Sequence, residues 1–281
     1  MTLPALILAQ KVIRHPGRAL LRLLLKARLR RSNVKEDQLR LLQSIRDHWG
    51  LNAAPLLQEY RESRYTSWYL QQLRLLHATL GSGRMGTSEN FAAEFLYVLI
   101  RAARPDVVVE TGVLYGGSSG PILEALEANG KGALHSIDLG TGPNEPPSDF
   151  LVHPGLRHRW SFIRGDARRE LPRLLRRLGE IDMFYHDSLH TFEHMTWEFR
   201  TAGRRLRPGG ILASHDVRTP DSVRRVFREN AFPAFCRVRG IPYEVIRNSG
   251  FARWQSLEPS EGSHAPPFMS PASPAAWLSI L

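Results

Sequence analysis

The chain has 281 residues, 42% of them hydrophobic, which is enough to bury a sizeable core and excludes a disordered polypeptide. One cysteine, Cys236, excludes an intramolecular disulfide framework, and no apolar run reaches the roughly 18 residues that span a bilayer, so a cytoplasmic protein is predicted. The formal net charge is +11, but residues 1–40 hold ten Lys and Arg against two acidic residues, which leaves the remainder close to neutral.

Residues 1–85 are predicted to be a basic helical N-terminal extension. Residues 20–31 carry leucines on more than one helical face, with arginines between them. Three interpretations stay open: this helix packs on the domain or on a second copy in a homo-oligomer, lies peripherally on the inner membrane surface, or binds nucleic acid. Residues 52–80 are also predicted to be helical, and a loop follows over 81–86.

Residues 86–257 are predicted to form the main domain. A helix that starts at Thr87 ends at Arg104 because Pro105 stops it, and the strand from Val107 leads through a glycine-rich turn into a helix that ends at Gly130. Further strands are predicted over 133–138, 160–166, 181–187 and 211–216, with helices over 171–178, 191–206 and 222–230. A hairpin is predicted from 243–247 and 251–255. The tail, 258–281, is rich in proline and serine and is predicted to be disordered.

This alternation predicts an α/β fold: a Rossmann-like, doubly wound, mostly parallel seven-stranded sheet with a C-terminal antiparallel hairpin and the N-terminal helical extension. In such a sheet, ligands bind at the carboxyl ends of the strands, near the point where strand order reverses. Five successive strands end in an acidic residue, and these are Glu110, Asp138, Asp166, Asp187 and Asp216. Single strand ends are often polar, so the set is more informative than any one member.

The turn after the first strand indicates the class of cofactor. A dinucleotide site needs G-x-G-x-x-G, whereas this turn offers Gly112, Gly116 and Gly117 after Glu110. A carboxylate at that strand end would repel a pyrophosphate and attract the sulfonium and ammonium groups of S-adenosylmethionine. The ribose diol of that cofactor needs an acid such as Asp138.

Five motifs then carry a resemblance: E-T-G-x-x-x-G-x-S from residue 110, I-D ending at 138, G-D-A at 165–167, Y-H-D-x-x-H at 185–190 and L-R-P-G-G-x-x-x-x-H-D at 206–216. From about Glu94 to Gln255 the chain resembles class I S-adenosylmethionine-dependent methyltransferases. Within them it looks like the small-molecule O-methyltransferase branch, above all macrocin-type sugar O-methyltransferases and cephalosporin-hydroxylase-like proteins, with catechol O-methyltransferases more distant. The D-x-x-H after the fourth strand is a more specific signal than the R-P-G-G.

The resemblance implies O-methylation of a small hydroxylated acceptor, a sugar or a glycosylated natural product. It implies the following cofactor contacts: the methionine end at Glu110, Gly112, Gly116 and Ser118, the ribose at Asp138, and the adenine at Asp166 and Ala167. It further implies Asp187 and Asp216 as metal ligands and His190 as the general base.

The chemistry agrees with these assignments. A hydroxyl is a poor nucleophile, but a divalent ion bound to two neighbouring hydroxyls would lower their pKa, and a histidine with a pKa of about 6.5 can take the proton. The carboxylates of Asp187 and Asp216 suit Mg²⁺. His215 stands where such sites often have a further acidic ligand; as a third ligand it would favour softer ions such as Mn²⁺, and otherwise it would hydrogen-bond nearby.

Several alternatives stay open or are disfavoured. His190 could instead cap the helix that begins at Thr191. The spacing of His186, His190 and His194 lacks the H-E-x-x-H order of zinc hydrolases, and His194 is predicted to lie beyond the pocket edge. The remaining rivals are a nucleic-acid methyltransferase, disfavoured because the basic residues cluster before the domain, and a non-catalytic, membrane-associated binding protein.

Overall fold

The computed structural model describes residues 34–80, 90–217, 223–224 and 229–255. The predictions for the basic helix before residue 34, the loop over 81–86, the helix start at Thr87 and the tail from 258 lie outside these residues. Within the described ranges, no helix is both long and apolar enough to cross a membrane.

In the part of the chain that is described, four helices precede the sheet: α1 (Val34–Trp49), α2 (Ala54–Glu62), α3 (Arg64–Leu80) and α4 (Asn90–Ala103). The helical stretch predicted over 52–80 is divided at Ser63, whose backbone is extended, with φ −68° and ψ 140°. The Ser63 hydroxyl accepts a hydrogen bond from the backbone N–H of Tyr65 at 3.1 Å. This local bond competes with continuation of α2 and explains the break.

Nine short strands follow within the described ranges. They are β1 (Val107–Thr111), β2 (Ala133–Asp138), β3 (Trp160–Arg164), β4 (Ile181–His186), β5 (Leu206–Ser214), β6 (Val223–Arg224), β7 (Glu229–Asn230), β8 (Tyr243–Ile246) and β9 (Ser249–Arg253). Seven of them form one sheet in the order β3-β2-β1-β4-β5-β9-β8. The strands β1 to β5 pair in parallel, whereas β9 pairs antiparallel with β5 and with β8. The predicted Rossmann-like sheet with a final hairpin is therefore confirmed.

Helices cover both faces of this sheet. Besides α1–α4 these are α5 (Ser119–Ala128), α6 (Ala167–Leu178), α7 (Phe192–Gly203) and α8 (Ala231–Val238), with a 3₁₀ helix at Pro154–Arg159. Helices α1–α5 share one core with alternate strand residues such as Val108, and α6–α8 share a second core with their neighbours, such as Val109. Both faces of the central strands are therefore buried, as expected of a parallel sheet.

The end of α7 and the start of β5 differ from the prediction. The helix ends at Gly203 rather than at 206, and β5 begins at Leu206 rather than at 211, so the R-P-G-G segment belongs to the strand. Its pairing with β4 shifts register between Ile181 and Met183, which makes residues 207–210 a bulge. Proline is tolerated there because a bulge does not need its missing N–H.

The helix predicted over 222–230 is wrong. The described residues of that stretch are the strands β6 and β7, which pair antiparallel. The helix α8 begins at Ala231 instead, with Pro233 in its first turn, where proline is tolerated. Phe232 and Cys236 of α8 are fully buried in the second core, and that burial rather than local propensity places the helix.

Candidate active site

A cleft of about 510 Å³ lies at the carboxyl ends of the parallel strands, where strand order reverses between β1 and β4. Its volume is typical of cofactor sites. The predicted site residues that line it are Gly112, Ser118, Asp138, Asp166, Ala167, Asp187, His190 and Asp216. The structure places Glu110, Gly116 and His215 away from the lining. His194, which was expected beyond the pocket edge, does line the cleft.

The glycine turn needs glycine at Gly112 for a steric reason. Its φ is +85°, and a Cβ atom there would collide with the backbone carbonyl of Asp187. Its N–H donates to the carbonyl of Ile137 at 2.9 Å, so the turn lies against the ends of both neighbouring strands. At Gly116, with φ +86°, a Cβ would instead meet the side chain of Val152 at 2.9 Å, beneath the turn. The two glycines thus bring the backbone close to β4 on one side and to the 152 segment on the other.

Glu110 lies behind this turn rather than on the cleft wall. It is fully buried, and its carboxylate accepts hydrogen bonds from the hydroxyls of Ser118 at 2.5 Å, Ser119 at 2.6 Å and Ser136 at 2.7 Å. Burial raises the pKa of Glu110 to about 7, although the three serine hydroxyls oppose the change. The carboxyl group therefore ties the turn and the start of α5 to β2.

The acids after β2 and β3 lie on the cleft wall and also order the loops around it. One oxygen of Asp138 accepts from the backbone N–H of Val113 at 2.8 Å, and the other accepts from Gly140 at 2.6 Å. Asp166 is the N-cap of α6, since its side chain accepts from the N–H of Arg168 at 2.7 Å. Both carboxylates are thereby fixed at the two strand ends predicted to face ribose and adenine.

Asp187, His190 and Asp216 converge at one end of the cleft. One ligand atom of each lies within 4.8 Å of the others, and no other such group of three His, Cys, Asp or Glu residues occurs in the part of the chain that is described. The Nε2 atom of His190 is 3.1 Å from a carboxylate oxygen of Asp216 and 3.9 Å from one of Asp187. Asp216 has φ +52°, a strained value for a non-glycine residue, and the amide of Asn248 donates to its carboxylate.

His190 is poised as a neutral imidazole. Burial lowers its pKa below the ordinary histidine value, and the nearby carboxylates of Asp216 and Asp187 only partly offset this. It is not the cap of α7, because that position is taken by Thr191, whose hydroxyl accepts from the N–H of His194. The alternative prediction that His190 caps this helix is therefore wrong.

His215 lies beside the two aspartates rather than among the converging three. Its Nδ1 atom is 3.4 Å from Asp187 and 3.5 Å from Asp216. The group that could hold a cation thus contains His190, where the sequence pattern had suggested His215. A histidine that faces both carboxylates in this way can orient them.

Below the converging residues lies a buried polar cluster that the sequence reasoning missed. Glu198 of α7 is fully buried, and its carboxylate contacts Thr111, His186, Ser188 and His194. The available signal was the i, i+4 pair His194 and Glu198 on a helix face that is otherwise apolar at Met195 and Phe199. Polar residues on a buried face need partners, and here the ends of β1 and β4 supply them.

The sheet order, the glycine turn and the acids at successive strand ends are those of the class I methyltransferase fold. Residues 109–217 match the family described as a methyltransferase domain, so the chain carries such a domain. No curated protein matches the sequence.

Two solved structures illustrate the similarity of fold. The O-methyltransferase TomG from Streptomyces achromogenes, involved in tomaymycin synthesis and solved with S-adenosylmethionine, is 20% identical, with 69% of this chain and 91% of that chain covered and a TM-score of 0.52. The O-methyltransferase from Bacillus cereus, solved with S-adenosylhomocysteine, is 14% identical, with 66% and 90% covered and a TM-score of 0.50. At these identities the likeness establishes the fold alone.

Proposed function

We propose that the chain transfers the methyl group of S-adenosylmethionine to a hydroxyl of a small molecule, with a divalent cation and a histidine general base. The observation that carries this proposal is the convergence of Asp187, His190 and Asp216 at the end of the cofactor-sized cleft. Two carboxylates and one neutral imidazole form the set that activation of a hydroxyl requires.

The cofactor would lie along the cleft from the glycine turn to the start of α6. The turn residues Gly112, Gly116 and Ser118 would form the part of the cleft that holds the methionine end, and the buried Glu110 would hold this turn in place. Asp138 would bind the ribose hydroxyls. At the far end, Asp166 and Ala167 line the wall for adenine. When bound, S-adenosylmethionine supplies the electrophilic methyl group.

The donor set fits a divalent cation such as Mg²⁺ or Mn²⁺. Asp187 and Asp216 would hold it, and His215 would keep their carboxylates in place. When bound, such a cation lowers the pKa of a hydroxyl that contacts it. Hard carboxylate oxygens favour Mg²⁺, while a nearby imidazole makes Mn²⁺ acceptable.

His190 would receive the proton of the acceptor hydroxyl at Nε2. Its lowered pKa keeps it unprotonated near neutral pH, which is the state a base needs. The Asp187-x-x-His190 spacing, through its resemblance to sugar-modifying enzymes, names a sugar or a glycosylated product as the acceptor class. The described lining of the cleft carries four aspartates and no Lys or Arg, which disfavours an anionic acceptor.

Calorimetry with S-adenosylhomocysteine, with and without Mg²⁺ or Mn²⁺, tests the cofactor assignment. We expect the chain to bind it and Gly112→Ala to abolish binding, because the new Cβ collides with the backbone of Asp187 and Ser188 just after β4. Gly130→Ala is the matched control, since Gly130 also has a positive φ (+67°) but open space around it. Absence of binding by the unmodified chain would contradict the proposed function.

A further inference from the structure

Glu198 organises the floor beneath the proposed base. One carboxylate oxygen faces Nδ1 of His186 at 2.5 Å and accepts from the hydroxyl of Thr111 at 2.7 Å. The other accepts from Ser188 at 3.0 Å and faces Nε2 of His194 at 2.9 Å. Burial opposes ionisation of Glu198, but the contacts with His186 and His194 outweigh it and lower its pKa to about 2. The group is therefore a carboxylate, which can only accept hydrogen bonds.

This fixes the tautomer of His186. Since Glu198 can only accept, the facing Nδ1 of His186 must carry a hydrogen atom. In the neutral imidazole, the other nitrogen, Nε2, then has a free lone pair. His186 is itself fully buried, so water does not satisfy that lone pair from the surface.

The adjacent ring of His190 carries a second buried nitrogen without a partner in the described part of the chain. Neither Nε2 of His186 nor Nδ1 of His190 has a hydrogen-bond partner among the described residues, and both atoms are buried. The two rings are neighbours, with centroids 5.5 Å apart and planes at 83°. Buried polar atoms are almost always paired, and no direct bond links these two nitrogens, so one water held between the adjacent rings would pair both.

We propose that Glu198 and His186 are positioning residues that hold His190 with its hydrogen atom on Nδ1 and its Nε2 lone pair toward the reacting hydroxyl. The inference rests on the proposed function for what His190 does there. A base must offer a lone pair at the reacting atom, and so must a metal ligand. In both roles Nδ1 keeps the hydrogen and needs an acceptor behind the ring, which His186 provides through that water.

The tautomers can be read from the ring ¹⁵N shifts of protein labelled at its 11 histidines, recorded at about pH 9, well above the ordinary histidine pKa of about 6.5. Spectra are taken of the free protein and of the protein with S-adenosylhomocysteine and Mg²⁺. We expect His186 to carry hydrogen on Nδ1 in both states and His190 to carry it on Nδ1 in the loaded state. In the free protein, Asp216 at 3.1 Å competes for a hydrogen on Nε2 of His190.

A matched pair of variants separates positioning from damage to the cluster. His186→Phe keeps the ring volume but removes the acceptor, and we expect His190 in the loaded protein to move its hydrogen to Nε2. His194→Phe makes the same change at the other imidazole on Glu198, and we expect it to leave His190 unchanged. Thermal unfolding of both variants shows whether they fold. If they do not, the His186 and His190 tautomers of the unmodified protein still test the proposal.

Two results would overturn the inference: hydrogen on Nε2 of His186 in the unmodified protein, or hydrogen on Nε2 of His190 in the loaded protein. An unchanged His190 tautomer in a folded His186→Phe protein would overturn it as well. Failure to bind S-adenosylhomocysteine would instead contradict the proposed function, and the free-protein spectrum of His186 would still support or overturn the buried pair.

Discussion

The folded state favours the protonated form of the Glu110 carboxyl group. It is fully buried, and its three hydrogen bonds come from neutral serine hydroxyls, so burial dominates and raises the pKa from the ordinary 4.5 to about 7. The folded state therefore binds a proton that the unfolded state has released between these two pH values. By linkage, the stabilisation is complete below about pH 4.5 and is lost as the pH rises through about 7.

The variant Glu110→Gln should remove this dependence. We expect the free energy of unfolding of the unmodified protein to fall between about pH 5 and pH 8, and the variant to lose on the order of 2–3 kcal/mol less over that range. Urea unfolding at the two pH values measures the difference. Glu193→Gln, on the exposed side of α7, is the control and should match the unmodified protein. An identical pH dependence in the Glu110→Gln protein would show that the group is ionised in the folded state.

The Nε2 atom of His190 cannot be both a base and a metal ligand, and Mn²⁺ titration separates the two roles. In the presence of S-adenosylhomocysteine, we expect Asp187→Asn and Asp216→Asn to weaken Mn²⁺ binding at least about tenfold, because each removes a charged ligand. His190→Gln should weaken it less than about threefold if His190 is the base. A loss in His190→Gln as large as in the aspartate variants would make His190 the third ligand.

Among the elements, the positions of the central strands followed from local pattern, whereas their order in the sheet and the connections depended on distant contacts. The runs that became β1, β2 and β4 are apolar and end in polar residues, so their positions could be predicted nearly to the residue. The start of β5 could not, because it depends on a bulge that pairs with β4. Likewise α8 is placed by burial of Phe232 under α7, which no local pattern in 222–238 reveals.

Asp182 holds three strands together at the edge of the sheet opposite the cleft. Its carboxylate accepts from the backbone N–H groups of Asp106 at 2.9 Å and Val107 at 2.7 Å, and from the guanidinium of Arg207 in the β5 bulge. Burial opposes ionisation, but the bonds from Arg207 and from the two backbone groups outweigh it and hold the pKa of Asp182 below its ordinary value. Its contribution to stability is therefore present at neutral pH and lost as the pH falls.

We expect Asp182→Ala to lower the free energy of unfolding by about 2–4 kcal/mol at pH 7, since three hydrogen bonds to a charged group are lost and two backbone donors become unpaired. Urea unfolding measures this. The neighbouring Asp106→Ala is the control: that side chain makes an exposed ion pair with Lys131, worth roughly 0–1 kcal/mol. Equal losses in the two variants would mean that Asp182 does not link the strands.

At the scale of the whole molecule, the candidate site was predictable only in part. Strand-end acids are a property of local sequence, and the structure brings Asp138, Asp166, Asp187 and Asp216 to one cleft. The choice of His190 rather than His215 for the converging group depends on the conformation of the 187–190 loop, whose Ser188 hydroxyl contacts α7. The role of Glu198 depends on the docking of a helix onto two strand ends, which sequence spacing does not encode.

The described part of the N-terminal extension is joined to the domain. Leu41 and Ile45 of α1 are fully buried in the first core, and Asp37 pairs with Arg247 in the turn of the final hairpin at 3.5 Å, with both side chains mostly buried. A guanidinium N–H of Arg253 donates to the backbone carbonyl of His48 at 2.8 Å. Removing α1 would therefore open the core, so a shortened chain that tests the basic segment should begin at Val34.

Residues 1–33 contain eight Lys and Arg and no acidic residue, and we propose that they contact an anionic membrane surface. We expect the full chain to float with vesicles of phosphatidylserine and phosphatidylcholine but not with vesicles of phosphatidylcholine alone. A chain that begins at Val34 should float with neither. Binding should weaken as salt is raised, because the attraction is between exposed charges. The shortened chain must unfold at the same temperature as the full chain for the comparison to hold. Equal flotation of the two chains with anionic vesicles would show that the folded domain, and not residues 1–33, contacts the membrane.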